Sequence, residues 1–180
     1  MDGEILREGV FSLNTRRFGT VAEVLIQRLV KLGKGRSQFH DLYDDVNSKR
    51  VEVKFSCVLR KCEIPITKET VLQCIEAATS EQRMVLFANW RSAQFDCNIQ
   101  QVKRAEFDVL YYGLFFSDKV VIFRIESEEI GPQIYYSDKQ HKGNVGEGQF
   151  HINDKTLQIH LDNYLYQQLT YDELLELLSG

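Results

Sequence analysis

Apolar residues recur along the chain at two spacings, one typical of helices and one typical of strands. Helical spacing over residues 20–32 predicts a helix that begins at Thr20 and ends at the Gly33-Lys34-Gly35 segment. The same spacing predicts helices over residues 67–79 and 171–178, each with a threonine at or just before its first residue.

Apolar and β-branched residues alternate with polar ones in the intervening segments, which predicts two hairpins. The first joins residues 37–46 to residues 50–58 through a turn near Asn47-Ser48, and the second joins residues 107–116 to residues 119–125. The other segments are interpreted as short strands (83–88, 150–152 and 156–160), a short helix or turn (98–104) and a polar loop (137–149). The order of elements predicts an α/β (α+β) fold, with a central mixed sheet flanked by helices, in one domain over residues 1–180.

Composition places the chain among ordinary globular proteins, with 43% hydrophobic and 27% charged residues. No apolar run approaches the length of a membrane span, and the first residues are acidic, unlike a signal peptide. We therefore expect a cytoplasmic protein with no membrane partner. The four cysteines include no pair at zinc-ribbon spacing, so reduced and mostly buried thiols are expected.

The net charge of −4 argues against a protein that coats nucleic acid through a generally basic surface. For a local nucleic-acid site, the distribution of charge along the chain matters more than the net charge. Residues 31–61 contain eight Lys/Arg against four Asp/Glu, whereas residues 154–180 contain five acids and one lysine. The local positive field is therefore centred on the first hairpin.

That hairpin brings three ionisable side chains near one another. Glu52 and Lys54 are separated by one residue on the second arm, so both point to the same face. A two-residue turn would place Asp41 opposite Lys54, and a four-residue turn would place it opposite Ser56. Either turn puts Asp41 on the face of Glu52 and sends Asp44 to the other side, whereas a three-residue turn would favour Asp44. An even turn also buries the apolar residues of both arms together. It leaves Asp45 on the same face as Asp41, but Asp45 lies close to the turn tip, where a metal would be poorly enclosed, so Asp41 is selected.

Two carboxylates beside a lysine suit metal-assisted hydrolysis of a phosphodiester. Asp41 and Glu52 offer hard oxygen ligands to Mg²⁺, and the peptide carbonyl of Val53 could be a further ligand. The metal would lower the pKa of a bound water and offset charge in the transition state. Lys54 would orient or help to deprotonate the attacking water. The predicted cofactor is therefore Mg²⁺.

The motif resembles that of the PD-(D/E)xK nuclease superfamily. The resemblance lies in Phe39-His40-Asp41, followed eleven residues after Asp41 by Glu52-Val53-Lys54, with His40 where the family name has proline. It implies an upstream helical glutamate, and Glu23 fits that place. Thr20 and Glu23 also have the spacing of a capping box, which is a second interpretation of this glutamate.

Within the superfamily, the chain resembles a small type II restriction endonuclease. The resemblance implies a restriction-endonuclease-like fold with a catalytic core of about residues 19–125. It also implies Mg²⁺-dependent hydrolysis of double-stranded DNA at a short specific sequence, which leaves 5′-phosphate ends. Because palindromic sites are usually cut by two-fold dimers, a homodimer is expected.

Candidate DNA-binding residues lie after this core motif, with residues 137–160 as the expected recognition region. Amide side chains can read adenine, and lysine can read guanine or hold phosphate. The candidates are Gln140, His141, Lys142 and Asn144 in the loop, and Gln100, Gln101, Lys103 and Arg104 in a second patch. The alternatives are an ordinary surface loop and a solvated helix face.

Other functions fit parts of the sequence. His141, His151 and His160 follow an order similar to that of ββα-metal nucleases, without the paired histidines of that family. A structure-selective nuclease, such as a Holliday-junction resolvase, would use the same acidic residues and lysine. A non-catalytic DNA-binding module, with a purely structural hairpin, is the third alternative.

Overall fold

The structure is a computed structural model that describes residues 1–61, 64–139 and 145–180. The helices in these ranges are α1 (Gly3–Ser12), α2 (Thr15–Val30), α3 (Val71–Ala77), α4 (Ser80–Arg83), α5 (Leu157–Asn163) and α6 (Tyr171–Ser179). The strands are β1 (Gly33–Lys34), β2 (Leu42–Asp44), β3 (Lys49–Cys57), β4 (Asp96–Val102), β5 (Val109–Phe115), β6 (Lys119–Glu126), β7 (Ser137–Lys139), β8 (Val145–Asn153) and β9 (Leu165–Thr170). Short 3₁₀ helices cover Phe87–Ser92, Ser127–Glu129 and Pro132–Ile134.

The strands form two sheets. The large sheet has the order β1-β2-β3-β5-β6-β9, in which β3 and β5 are parallel and the other neighbours are antiparallel. The crossover between β3 and β5 contains α3, α4 and strand β4. The small sheet has the order β4-β8-β7 and is antiparallel. The predicted mixed central sheet flanked by helices is thus confirmed.

Each face of the large sheet has its own apolar core. On one face, α1, α2 and α6 pack on alternate residues of β3 and β5, among them Val51, Val53 and Val109. On the other face, the small sheet packs on the intervening residues of β5, such as Leu110 and Tyr112. Glu52 and Lys54 alternate with Val51 and Val53, so they point away from the helices.

Helix α2 begins earlier than the apolar pattern predicts. Asn14 caps it by accepting a hydrogen bond from the N–H of Arg17, and Lys31 ends it in the left-handed conformation with a φ of 60°. Thr20 lies inside the helix, where its hydroxyl donates to the carbonyl of Arg16. The predicted cap at Thr20 is therefore wrong, and the capping-box interpretation of Glu23 fails with it.

The first hairpin has an even turn, but neither predicted register is correct. Leu42 pairs with Val51 and Asp44 with Lys49, so residues 45–48 form a four-residue loop. This register places Asp41, one residue before β2, level with Glu52. Leu42 is buried beside Val51, as the alternation predicts, so burial fixes which face each residue takes.

Several other predicted elements need correction. Residues 98–104 are mostly strand β4, residues 83–88 form no strand beyond a single bridge at Met84, and residues 156–160 lie mainly in helix α5. Helix α1 and strand β9 were not predicted at all. The second hairpin is confirmed as β5 and β6. The final helix, α6, is also confirmed, with a capping box formed by Thr170 and Glu173.

Candidate active site

The structure brings together three of the predicted residues, Asp41, Glu52 and Lys54, which we call the carboxylate–lysine site. The Nζ of Lys54 forms an ion pair with Glu52 and lies 3.8 Å from Oδ2 of Asp41. The backbone N–H of Val53 donates to the same Asp41 oxygen at 2.9 Å. The Glu52 side chain is 13% exposed, and those of Asp41 and Lys54 are each 24% exposed. A single ammonium group therefore serves two partly buried carboxylates.

The pKa of Glu52 is raised to about 7. Burial is the main cause, because it disfavours the charged form of the carboxyl group. Lys54 lowers the pKa, while the negative charges of Asp41 and Glu106 raise it further. The lysine thus compensates only part of the cost of holding this carboxylate ionised.

Glu23 supplies a third carboxyl group from helix α2. Burial raises its pKa, the charge of Asp41 raises it further, and Lys54 lowers it. Glu23 and Asp41 line the same cavity, which has a volume of about 430 Å³ and includes Lys34 and His40 in its wall. The predicted association of Glu23 with Asp41 therefore has a structural basis that needs no capping role.

The segment before Asp41 is held by contacts that sequence reasoning missed. His40 is buried, with Nε2 accepting from the N–H of Arg36 at 3.2 Å and Nδ1 lying 3.1 Å from Oγ of Ser37. The N–H of Gly35 donates to the carbonyl of Asp41 at 3.0 Å, and a Cβ at Gly35 would overlap the carbonyl oxygen of His40. Gly35 therefore allows the close approach that fixes Asp41, rather than ending helix α2.

Neighbouring aspartates have other roles. Asp44 accepts hydrogen bonds from the N–H groups of Val46 and Asn47, which closes the hairpin turn, and the side chain of Asn47 is the main cause of its lowered pKa. Asp45 forms an ion pair with Arg36. The structure thus keeps both residues out of the carboxylate–lysine site, as the even turn predicts for Asp44 and the position near the turn tip predicts for Asp45.

Among the described residues, no group of three or more His, Cys, Asp or Glu side chains has the geometry of a preformed metal site. Mg²⁺ needs fewer protein ligands, because one or two carboxylates usually hold it together with waters and phosphate oxygens. The Lys54 ammonium group already occupies the position of a cation between Asp41 and Glu52. The N–H and C=O groups of a strand residue point to the same edge, so the carbonyl of Val53 also faces Asp41. The donors present therefore fit Mg²⁺.

Of the predicted DNA-binding residues, the structure describes only those of the second patch. Gln140, His141, Lys142 and Asn144 lie outside the described residues. Lys103 lies 3.7 Å from both Glu106 and Glu147. Arg104 donates to the carbonyl of Ile130 and lies over the ring of Tyr136. Both cations are thus engaged within the protein, whereas Gln100 and Gln101 are exposed on β4.

The described histidines do not assemble a ββα-metal site. His160 is fully buried, its Nδ1 lies 2.8 Å from the hydroxyl of Tyr112, and burial lowers its pKa to about 4. His151 pairs with Asp96 at 2.9 Å on the small sheet. These two side chains have structural partners of their own.

Comparisons of the chain with models of protein families, with curated proteins and with solved structures find no match. Within the described ranges, no helix combines the length and apolar character needed to cross a membrane.

Proposed function

We propose that the chain is a Mg²⁺-dependent nuclease that hydrolyses phosphodiester bonds of double-stranded DNA. The observation that carries the proposal is the convergence of Asp41, Glu52 and Lys54, with one ammonium group shared by two partly buried carboxylates. This is an excess of negative charge in a site accessible to solvent, and it favours binding of a second cation. The particular enzyme proposed is a site-specific, type II endonuclease that acts as a homodimer, as the resemblance of its motif implies.

Each residue has a task in the proposed reaction. Asp41, Glu52 and the Val53 carbonyl would hold Mg²⁺, which supplies a Lewis acid and lowers the pKa of a bound water. Lys54 would leave its position between the carboxylates to orient the attacking water and to offset negative charge on the phosphate. Glu23 would accept a hydrogen bond from water in the cavity that it lines together with Asp41. The water oxygen bonds to phosphorus and the bond to the 3′-oxygen breaks, which gives a 5′-phosphate and a 3′-hydroxyl.

The test is cleavage of linear duplex DNA of known sequence and of four-way junctions by the purified protein, with Mg²⁺ and with a chelator. Discrete duplex fragments that require Mg²⁺ are expected. Lys54→Ala should reduce cleavage by about a hundredfold or more, since it removes charge stabilisation at the reacting phosphate.

Other outcomes would redirect the proposal. Cutting of junctions alone would replace the site-specific enzyme by a structure-selective one. Binding of DNA without Mg²⁺-dependent cutting by the wild type would reduce the chain to a non-catalytic module. Cutting by Lys54→Ala at the wild-type rate would show that the assigned site is wrong.

A further inference from the structure

A bulge in strand β4 gathers four amide side chains at one end of the small sheet. Ile99 pairs with Phe150 and Val102 with Gly148, so Gln100 and Gln101 together lie opposite the single residue Gln149. Gln101 adopts a φ of 57°, which accommodates the extra residue. With Asn98, these three glutamines form what we call the amide cluster.

The amide cluster lies on the outer side of the small sheet. Ile99, Val102 and Phe150 are buried in the core, whereas Gln100 and Gln101 are both exposed. The Nδ2 of Asn98 donates to Oε1 of Gln149 at 3.1 Å, which ties β4 to β8. The Oδ1 of Asn98 is buried and has no hydrogen-bond partner within the part of the chain that the structure describes. The side chains of Gln100 and Gln101 are exposed and that of Gln149 is half-buried, so these three glutamines supply the hydrogen-bonding groups of the cluster that a ligand could reach.

The same end of the small sheet adjoins the carboxylate–lysine site. Gln101 lies two residues before Lys103, a distance of about 7 Å along an extended chain. Lys103 lies 3.7 Å from Glu106, whose negative charge contributes to the raised pKa of Glu52.

We propose that the amide cluster reads adenine in the major groove of double-stranded DNA, an inference that rests on the proposed nuclease function. A glutamine or asparagine amide can donate to N7 and accept from the N6 amino group of the same adenine, and the major groove admits a two-stranded β-ribbon. Amides carry no charge, so they contribute discrimination between bases rather than general affinity for phosphate. The nearby cations Lys103 and Arg104 each have a partner within the protein. Gln100 and Gln101 instead present exposed, uncharged recognition groups.

The experiment uses a pool of DNA duplexes with a randomised central segment. Duplexes bound by the protein in Ca²⁺ are separated by gel shift and sequenced. The proteins are the wild type, Gln100→Met, Gln149→Met and the control Gln167→Met. Methionine has nearly the shape of glutamine without its hydrogen bonds. Gln167 is an exposed glutamine on β9, at the far edge of the large sheet from β1. Thermal unfolding of each variant checks that the fold is retained, and cleavage of plasmid DNA in Mg²⁺ is measured separately.

The wild type and Gln167→Met should enrich one short sequence that contains adenine. Gln100→Met and Gln149→Met should lose preference for adenine by about tenfold or more at one or more positions, with retained binding to the unselected pool. An unchanged sequence in both cluster variants would overturn the inference while leaving the nuclease proposal intact. Wild-type binding without any enriched sequence would overturn the inference and the site-specific assignment. Absence of both binding and cleavage by the wild type would overturn the nuclease proposal as well.

Discussion

Two of the ionic groups on strand β3 differ in character, the carboxylate–lysine site and a pair between Arg50 and Asp108. Arg50 and Asp108 are 40% and 36% exposed, and the guanidinium group donates to both carboxylate oxygens, at 3.1 and 2.7 Å. These hydrogen bonds lower the pKa of Asp108. At Glu52, only two residues along the strand, the pKa is raised instead.

Asp108 and Glu52 differ in burial and in how completely a neighbouring cation neutralises their negative charge. Asp108 is exposed and has a bidentate cation of its own, whereas Glu52 is mostly buried and shares one lysine with Asp41. A balanced, exposed pair needs no further partner, and its net contribution to stability is small. A partly buried carboxylate whose negative charge is only partly neutralised is energetically unfavourable, and a bound divalent cation would reduce this cost. These two ionic groups on one strand are therefore a structural pair and a candidate catalytic site.

Apart from variants of the reacting groups themselves, Gly35→Ala is expected to reduce the cleavage rate most. The new Cβ would overlap the carbonyl oxygen of His40, so the segment that positions Asp41 must shift. A misplacement of about 1 Å is expected to reduce cleavage by about a hundredfold. Gly9→Ala is the control, because a Cβ there meets no atom within 4 Å. Equal cleavage rates for both variants would remove Gly35 from the account of the site.

Divalent cations should stabilise the protein through the carboxylate–lysine site. At a Mg²⁺ or Ca²⁺ concentration of one hundred times Kd, the gain is about 2.7 kcal/mol, and it should be reduced strongly in Glu52→Gln. Thermal unfolding at pH 8, with and without the cation, measures it. Asp108→Asn should retain the full gain. A wild type that gains nothing at millimolar Mg²⁺ would count against the metal site.

The raised pKa of Glu52 predicts a pH dependence of stability in the absence of metal. The folded state holds the proton up to pH values near 7, whereas the unfolded state loses it near 4.5. The contribution of Glu52 to the free energy of unfolding should therefore fall as pH rises from about 4.5 to about 7, by about 1–3 kcal/mol, and it is measured as the difference between the wild type and Glu52→Gln because buried His160 acts in the opposite sense over this range. Glu52→Gln should lack this decline and should be the more stable protein at pH 8. Denaturant unfolding across this range checks the sign, and parallel curves for the two proteins would refute the burial argument.

The smallest effect is expected at the balanced pair. Arg50→Met removes the cation from Asp108 but leaves an exposed carboxylate in water, so the free energy of unfolding should fall by less than about 1 kcal/mol. High salt should reduce the difference further. A loss of several kcal/mol in urea unfolding would mean that the two groups on β3 are less different than their exposure indicates.

The sequence predicts the carboxylate–lysine site well, because alternation along β3 fixes which side chains share a face. Burial of Leu42 with Val51 then selects Asp41 over Asp44 without knowledge of the register itself. The register was wrong because Asp44 closes the turn through its own side chain, an interaction that the apolar pattern does not encode.

Other features depend on tertiary contacts that a linear pattern does not contain. The role of Gly35 arises from its approach to His40 and Asp41, which a glycine after a helix does not reveal. The segment at 98–104 reads as a helix or turn because two adjacent glutamines interrupt the alternation, and the bulge at Gln101 is what restores a strand. The true start of α2 was missed because Asn14 lies outside the strongest apolar stripe.

The most direct test compares two carboxylates that each contact a cation and β3. Cleavage of duplex DNA in Mg²⁺ is measured for the wild type, Asp41→Asn and Asp108→Asn at equal protein concentration. Asp108→Asn is expected to cut at close to the wild-type rate, whereas Asp41→Asn is expected to lose about a hundredfold or more. Equal rates for the two variants, or a greater loss in Asp108→Asn, would contradict the assignment of the carboxylate–lysine site as the active site.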